Sequence, residues 1–305
     1  MKTSALSLLI CALGGTFLVQ PSRADTETKP PVVVVSADVQ HEADTFVSQV
    51  LSAPAGESLA RWRSPLCPLV KGPSRDNDEY LLTKLSDLAR SVGVPLGGEK
   101  CRPNFYVVMT PDPDAFLTAW SKRDKTMFGD GSTAKISQFM HSSEPIRSWY
   151  NVVMATADGS AIASSSPAMG NGTNTSAGAV PSANAGGPFN GVSSNNHADA
   201  TRISFNEIRT MHSVAIVVDT HKTEGVKYDQ LAAYIAMVGF AEVKRGPDLA
   251  NVPTVLTLFD KDAKATPPGL SDWDEALLKG LYQTEQSGKT QAAQIRLFVA
   301  RTMAH

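Results

Sequence analysis

Residues 161–200 constrain the fold of this chain more than any other feature of its sequence. Ala, Gly, Ser, Asn, Thr and Pro supply 33 of these 40 residues, and Asp199 carries the only charge. Such a tract buries too little apolar surface to offset the entropy that is lost on ordering. We therefore expect a flexible low-complexity insertion at 161–200, and one globular unit that is assembled from the sequence on either side of it.

The start of the chain is typical of a secretory signal peptide. Lys2 supplies a positive charge, residues 5–19 form an apolar run, and Ser22-Arg23-Ala24 offers a cleavage site with small residues at its two ends. A membrane anchor is the alternative, but the run is shorter than the ~20 residues that a span needs. We expect a periplasmic or secreted protein whose segments are a signal peptide (1–24), an N-terminal α+β part (25–160), the insertion and a C-terminal α+β part (201–305).

Two cysteines remain when the leader is removed, Cys67 and Cys101. An even cysteine count in an oxidising compartment favours a disulfide, and two unrelated buried thiols are the alternative. A metal site is disfavoured, because neither cysteine has a histidine near it in sequence and the short cysteine spacing of zinc sites is missing. The sequence therefore predicts a disulfide between Cys67 and Cys101.

Helix and strand patterns are intermixed in both parts without a regular strand-helix-strand rhythm. Apolar residues at three- and four-residue spacing predict helices, and runs of β-branched and aromatic residues predict strands. This mixture favours an α+β fold, with a mixed sheet packed by several helices, over a doubly wound sheet. The clearest predicted helices are Asp76–Val92, Tyr228–Glu242, one capped by Ser271 that runs to about Tyr282, and Thr290–Met303; the predicted strands include Asn104–Thr110, Arg147–Thr156, Ser213–Asp219 and Thr254–Phe259.

Charge and hydropathy exclude two classes of partner. The chain has 28 basic and 30 acidic side chains, for a net charge of −2, and removal of the leader with Lys2 and Arg23 makes this −4. A mildly acidic protein has no electrostatic attraction to phosphate backbones, so we expect no nucleic-acid partner. The longest later apolar stretch without charge, Leu231–Ala241, is too short to cross a bilayer. The remaining partner classes are an envelope protein or a small ligand.

Catalytic, cofactor-binding and metal-ligating motifs are not evident, so we expect no catalytic residues, no cofactor and no metal. His41-Glu42 begins like a zinc-binding helix, but Thr45 stands where the second imidazole is needed. The candidate polar cluster is Asp219, His221 and Glu224, which follow a predicted strand. Strand ends often carry functional side chains, and these residue types can move protons. A polar turn into the next helix is the alternative.

Five blocks of the sequence resemble a family of uncharacterised exported proteins of proteobacteria, of the sphingomonad type. The resemblance implies export, but it implies no activity, because that family has no established function. The blocks are RWRSPLCPLVKG (61–72), KCRPNFYVVMTPDPDAFL (100–117), YDQLAAYIAMVGFAEV (228–243), TVLTLFD (254–260) and LSDWDEALLKGLY (270–282).

The last blocks are also similar to secreted proteins with a zincin-like, metallopeptidase-type layout. In a working zincin the central helix carries the HExxH pair, whereas the corresponding helix here reads Gln230-Leu231-Ala232-Ala233-Tyr234. The similarity therefore implies such a layout without its metal ligands or its general base.

The sequence as a whole predicts a non-catalytic binding or accessory protein of the cell envelope. A divergent hydrolase, zincin-like or of another type, is the alternative. A cleft that gathers His212 with Asp219, His221 or Glu224 would favour the hydrolase.

Overall fold

The computed structural model describes residues 35–72, 74–156, 207–244, 246, 249, 252–261, 263 and 266–304. The predicted signal peptide and the predicted insertion therefore lie outside the described residues. Within the described part of the chain, no helix combines the length and the apolar character that a membrane crossing requires.

A mixed sheet of four strands lies at the centre of the fold, in the order β1-β2-β4-β3. Strands β1, β2 and β4 are parallel, whereas β3 pairs antiparallel with β4. The predicted α+β class, with helices packed on a mixed sheet, is confirmed. The strands are β1 (Pro68–Lys71), β2 (Phe105–Thr110), β3 (Ile146–Ala155) and β4 (Ile208–Asp219); the helices are α1 (Ala37–Val50), α2 (Arg75–Val92), α3 (Pro113–Arg123), α4 (Thr133–Met140), α5 (Tyr228–Phe240), α6 (Asp272–Gln283) and α7 (Gln291–Met303).

The alternation of side chains along β4 builds two hydrophobic cores. Val214, Ile216 and Val218 belong to the larger core, to which α1, α2, α5, α6 and α7 contribute. Ala215 and Val217 lie on the opposite face and belong to the smaller core, which α3 and α4 cover. Because both faces are covered here, the second half of β4 is apolar on both sides from Val214 to Val218 and has no polar-out alternation.

Helix α2 shows how closely the local pattern can predict an element. Leu81, Leu85 and Ala89 recur on one face and are almost completely buried. Gly93 ends the helix with φ at 86°, a left-handed conformation that glycine adopts without steric cost. The observed helix begins one residue before the predicted one and ends at the same residue.

The predicted strand Thr254–Phe259 is wrong, because its centre, Val255–Thr257, is a single 3-10 turn. The reason is Asp274 of α6, which is fully buried. Its carboxylate accepts hydrogen bonds from the Thr254 hydroxyl and, at 2.9 Å, from the Val255 N–H. A side chain from α6 thus satisfies the Val255 N–H, which a neighbouring strand would otherwise pair.

The disulfide between Cys67 and Cys101 is confirmed, with the two Cα atoms 5.9 Å apart. Cys67 directly precedes β1, and Cys101 lies four residues before β2. The bond therefore joins the two ends of the β1-α2-β2 crossover at the side where both parallel strands begin.

Buried polar contacts hold the first half of β4, which extends beyond β2. Ser58 Oγ accepts the Arg209 N–H at 2.8 Å, and the Arg61 carbonyl accepts the Met211 N–H at 3.0 Å. The Arg61 guanidinium donates to the Leu281 and Thr284 carbonyls at the end of α6, at 2.7 and 2.9 Å. The segment around Arg61 therefore replaces β2 beside the first half of β4 and ties this half to α6.

Candidate binding site along the edge strand β3

The candidate polar cluster lies at the carboxyl end of β4. Asp219 is 6% exposed, and its Oδ1 accepts the N–H groups of His221 and Lys222 at 3.0 and 3.2 Å. Lys222 Nζ lies 3.3 Å from the other carboxylate oxygen. Burial opposes the charged form, but the Lys222 N–H, the Lys222 ammonium and the His221 N–H outweigh it, so the pKa of Asp219 lies below its ordinary value.

The other members of the cluster take no part in this carboxylate site through their side chains. His221 contributes its backbone N–H, and the side chains of His221 and Glu224 are exposed. His212 lies seven residues earlier on the same strand, or about 23 Å away. The structure therefore brings Asp219 and His221 together in a tight polar turn and places His212 at a different site.

A cleft of about 800 Å³ follows the edge strand β3. Six consecutive residues, Ser148–Val153, line it. Successive side chains of a strand point to opposite faces of the sheet, so a cleft that all six line must follow the edge of the strand and reach both faces. In the described part of the chain β4 is the only strand that pairs with β3.

One side of the cleft, the aromatic wall, consists of the α3–α4 connection and the start of α4. The Phe128 and Trp149 rings meet edge to face at a centroid distance of 5.2 Å. Gly131 lies so close to the Trp149 ring that a Cβ atom there would be 2.4 Å from Cζ2, so only glycine fits. Trp149 Nε1 donates to Asn151 Oδ1 at 3.0 Å, and Asn151 Nδ2 donates to the Met127 carbonyl at 2.9 Å. These polar groups have internal partners and Trp149 is only 6% exposed, so the half-buried Phe128 supplies the ring surface that this wall offers to a ligand.

The opposite side, the charged wall, contains Arg209, Glu242 and Lys244. Arg209 Nη1 lies 2.8 Å from Glu242 Oε2, and its Nε lies 3.1 Å from Glu57 Oε2. Lys244 Nζ donates to the Ser48 carbonyl at 2.6 Å. The β-bridge between Leu51 and Val243 fixes this wall to the end of α1. The wall is therefore rigid. It carries an ion-paired charge at Arg209 and, at Lys244, a charge whose bonded partner is neutral.

A β-bulge brings His212 to the cleft. Asn151 of β3 pairs with Ser213, but the next residue, Val152, pairs with Met211, so His212 is the extra residue on β4. A bulge redirects the side chain of its extra residue, and His212 lines the cleft. The sequence predicts that His212 lies toward the other end of this strand from Asp219, but it does not reveal the bulge that turns His212 toward the cleft.

The cleft itself was missed at the sequence level. The alternation in Arg147–Thr156 predicts a strand there, and the structure confirms one at Ile146–Ala155. That this strand lies at an edge depends on strand order, for which the local pattern carries no signal. Gly129 and Gly131 beside Phe128 are the one local hint of a close approach.

Among the described residues, no group of three His, Cys, Asp or Glu side chains is arranged to hold a metal ion. No family model, no curated protein and no solved structure matches the chain. The resemblance to exported proteobacterial proteins and the similarity to zincin-like proteins therefore stay predictions, and the function has to be argued from the site.

Proposed function

We propose that this protein is a non-catalytic binding protein of the cell envelope that takes up an extended polypeptide along β3. The observation that carries the proposal is the lining of one cleft by six consecutive residues of an edge strand. The outer edge of a strand presents alternating N–H and C=O groups, and another extended backbone is the ligand that matches them.

The dimensions of the cleft fit such a ligand. Six strand residues span about 20 Å, the length of an average strand in a globular protein. The walls on the two faces would hold alternate side chains of the added strand. The frame is also rigid, because the first half of β4 is bonded on its other side to the segment around Arg61. A rigid edge pays little ordering entropy on binding.

The remaining parts of the proposal rest on the sequence and on the polar turn. The leader-like start of the chain and the disulfide support an envelope location. The Asp219 carboxylate is engaged by its own turn, and His212 lies seven residues earlier on the strand, which supports binding over hydrolysis.

Peptide display tests the proposal with the purified full chain, its disulfide intact. Peptides selected from a random library would be labelled, and their affinities measured by fluorescence anisotropy. Hydrogen exchange would then locate the bound peptide. We expect the selected peptides to slow exchange at the backbone amides of Ile146–Ala155. If no peptide is enriched, or if the enriched peptides protect another part of the chain, the proposal is wrong.

Two matched variants test the location independently. Lys135 lines the cleft, whereas Ala134 is exposed on the same helix outside it. Lys135→Trp fills part of the cleft, and we expect it to weaken peptide binding about tenfold, or 1.4 kcal/mol. Ala134→Trp should leave the affinity unchanged. Equal effects of the two variants would place the peptide elsewhere.

A further inference from the structure

We infer that the polypeptide bound along β3 alternates apolar or aromatic side chains with acidic ones. This inference rests on the proposed function. Consecutive side chains of an added strand point to opposite faces of the sheet. One set therefore faces the aromatic wall and the other set faces the charged wall, so the difference between the walls selects a pattern with a period of two.

The aromatic wall selects apolar side chains. Phe128 is half-buried, and its ring lies against Trp149 and, at 6.1 Å between centroids, against the fully buried Phe139. Asp130 and Lys135 are the charged residues that line this side, and their charges offset each other. An apolar or aromatic side chain placed here gains ring contacts and loses little hydration.

The charged wall selects acidic side chains at Lys244, because this exposed ammonium is bonded to a neutral group. Two carboxylates, those of Glu57 and Glu242, surround the Arg209 guanidinium. The exposed Lys244 ammonium has the neutral Ser48 carbonyl as its partner. Arg209 and Lys244 are balanced by Glu57 and Glu242, so the preference for an acidic side chain rests on Lys244, whose bonded partner is neutral. A carboxylate of the ligand would form an ion pair with Lys244, whereas a basic side chain would be repelled by the Lys244 ammonium.

Three synthetic peptides of equal length test the pattern. The first alternates phenylalanine or valine with glutamate. The second has the same composition with the glutamates in one block, and the third carries lysine in place of glutamate. We expect the first to bind about tenfold more tightly than either of the others. Its advantage over the lysine peptide should shrink as salt is added, because salt screens the charged contact.

Two variants assign the preference to its walls. Lys244→Gln should abolish the preference for glutamate over lysine and retain the preference for alternation over blocks. Phe128→Ala should weaken binding of the first peptide and of the lysine peptide, which both alternate, by a similar factor. Lys125→Gln removes an exposed charge outside the cleft and serves as the matched control, with no expected change in either preference.

The outcomes separate the two proposals. If the three peptides protect the amides of β3 and bind with equal affinity, the inferred pattern is wrong and the proposed function stands. If the lysine peptide binds best, the charge assignment of the wall is wrong. If no peptide, selected or designed, protects β3, the proposed function itself is wrong.

Discussion

The two ends of β4 use polar side chains in opposite ways. At the carboxyl end, the Asp219 carboxylate accepts N–H groups from residues two and three positions further along the chain. At the amino end, Arg209 pairs with Glu57 and Glu242, which come from distant parts of the sequence. The turn at the carboxyl end satisfies its own polar groups. The amino end gathers polar groups from several segments around a cleft, which is what a binding site requires.

Clustering in sequence is a poor guide to a functional site in this protein. Residues that are neighbours after a strand are close enough to bond one another, and short polar side chains do so in turns. Residues that line a cleft are usually supplied by separate elements. His212 belongs to the second kind, because the bulge on β4 aims it at the cleft.

The largest expected effect comes from a substitution in the larger core, against which β4 packs. Ile235 of α5 is fully buried in the larger core together with Val214 and Ile216. We expect Ile235→Ala to lower the free energy of unfolding by about 2–5 kcal/mol, because it leaves a cavity. Denaturation in urea, followed by circular dichroism, measures this.

Gln230→Ala on the same helix is the control for that change. Gln230 Nε2 donates one hydrogen bond to the Pro267 carbonyl at 2.9 Å from a half-buried position. Its removal should cost less than about 1 kcal/mol. Equal costs for the two variants would mean that α5 does not anchor the sheet as its burial indicates.

The second effect concerns the amino end of β4. Arg209→Met leaves the Glu242 carboxylate half-buried without its partner, and we expect a loss of about 3 kcal/mol in the free energy of unfolding. The double variant Arg209→Met/Glu242→Gln should recover part of this loss, because it removes the unpaired charge as well. If Arg209→Met lowers the free energy of unfolding by less than about 1 kcal/mol, the ion pairs to distant residues do not stabilise the amino end more than the local turn stabilises the carboxyl end.

The third effect concerns the carboxyl end and depends on pH. Asp219→Asn weakens two hydrogen bonds to a charged acceptor and should cost about 1–2 kcal/mol at neutral pH. The pKa of Asp219 is lowered in the folded protein, so its carboxylate stabilises the fold above the ordinary value of 3.8. This contribution disappears as the pH falls through the folded pKa. Urea unfolding at several pH values should therefore show the wild-type and variant stabilities converging in acid.

His221→Ala sharpens this last measurement. The His221 side chain is exposed and the turn uses only its backbone N–H, so its removal should change stability by no more than about 0.5 kcal/mol. Neither Asp219→Asn nor His221→Ala should change peptide affinity. A loss of peptide binding in either variant would move the functional site to the carboxyl end of β4.

The sequence predicted those elements whose physics is local. The apolar stripe and the terminal Gly93 predict α2 because they act within a few turns of one helix. The disulfide was predicted from the cysteine count together with the predicted signal peptide. The segment Thr254–Phe259 has an equally clear strand pattern, yet the buried Asp274 of another helix bends its centre into a turn.

By itself, then, the sequence of this protein determined the class of the fold, most of the helices and strands of the described residues, and the disulfide between Cys67 and Cys101. Hydrophobic periodicity, capping and cysteine number act over short stretches of chain, so the sequence is enough to read them. Only the tertiary structure decided that β3 lies at the edge of the sheet, that Trp149 and Phe128 face Arg209 and Lys244 across one cleft, and that a bulge turns His212 toward it. These features depend on strand order and register, which result from packing between segments far apart in the sequence, such as Val152 with Met211 and Phe105 with Val214.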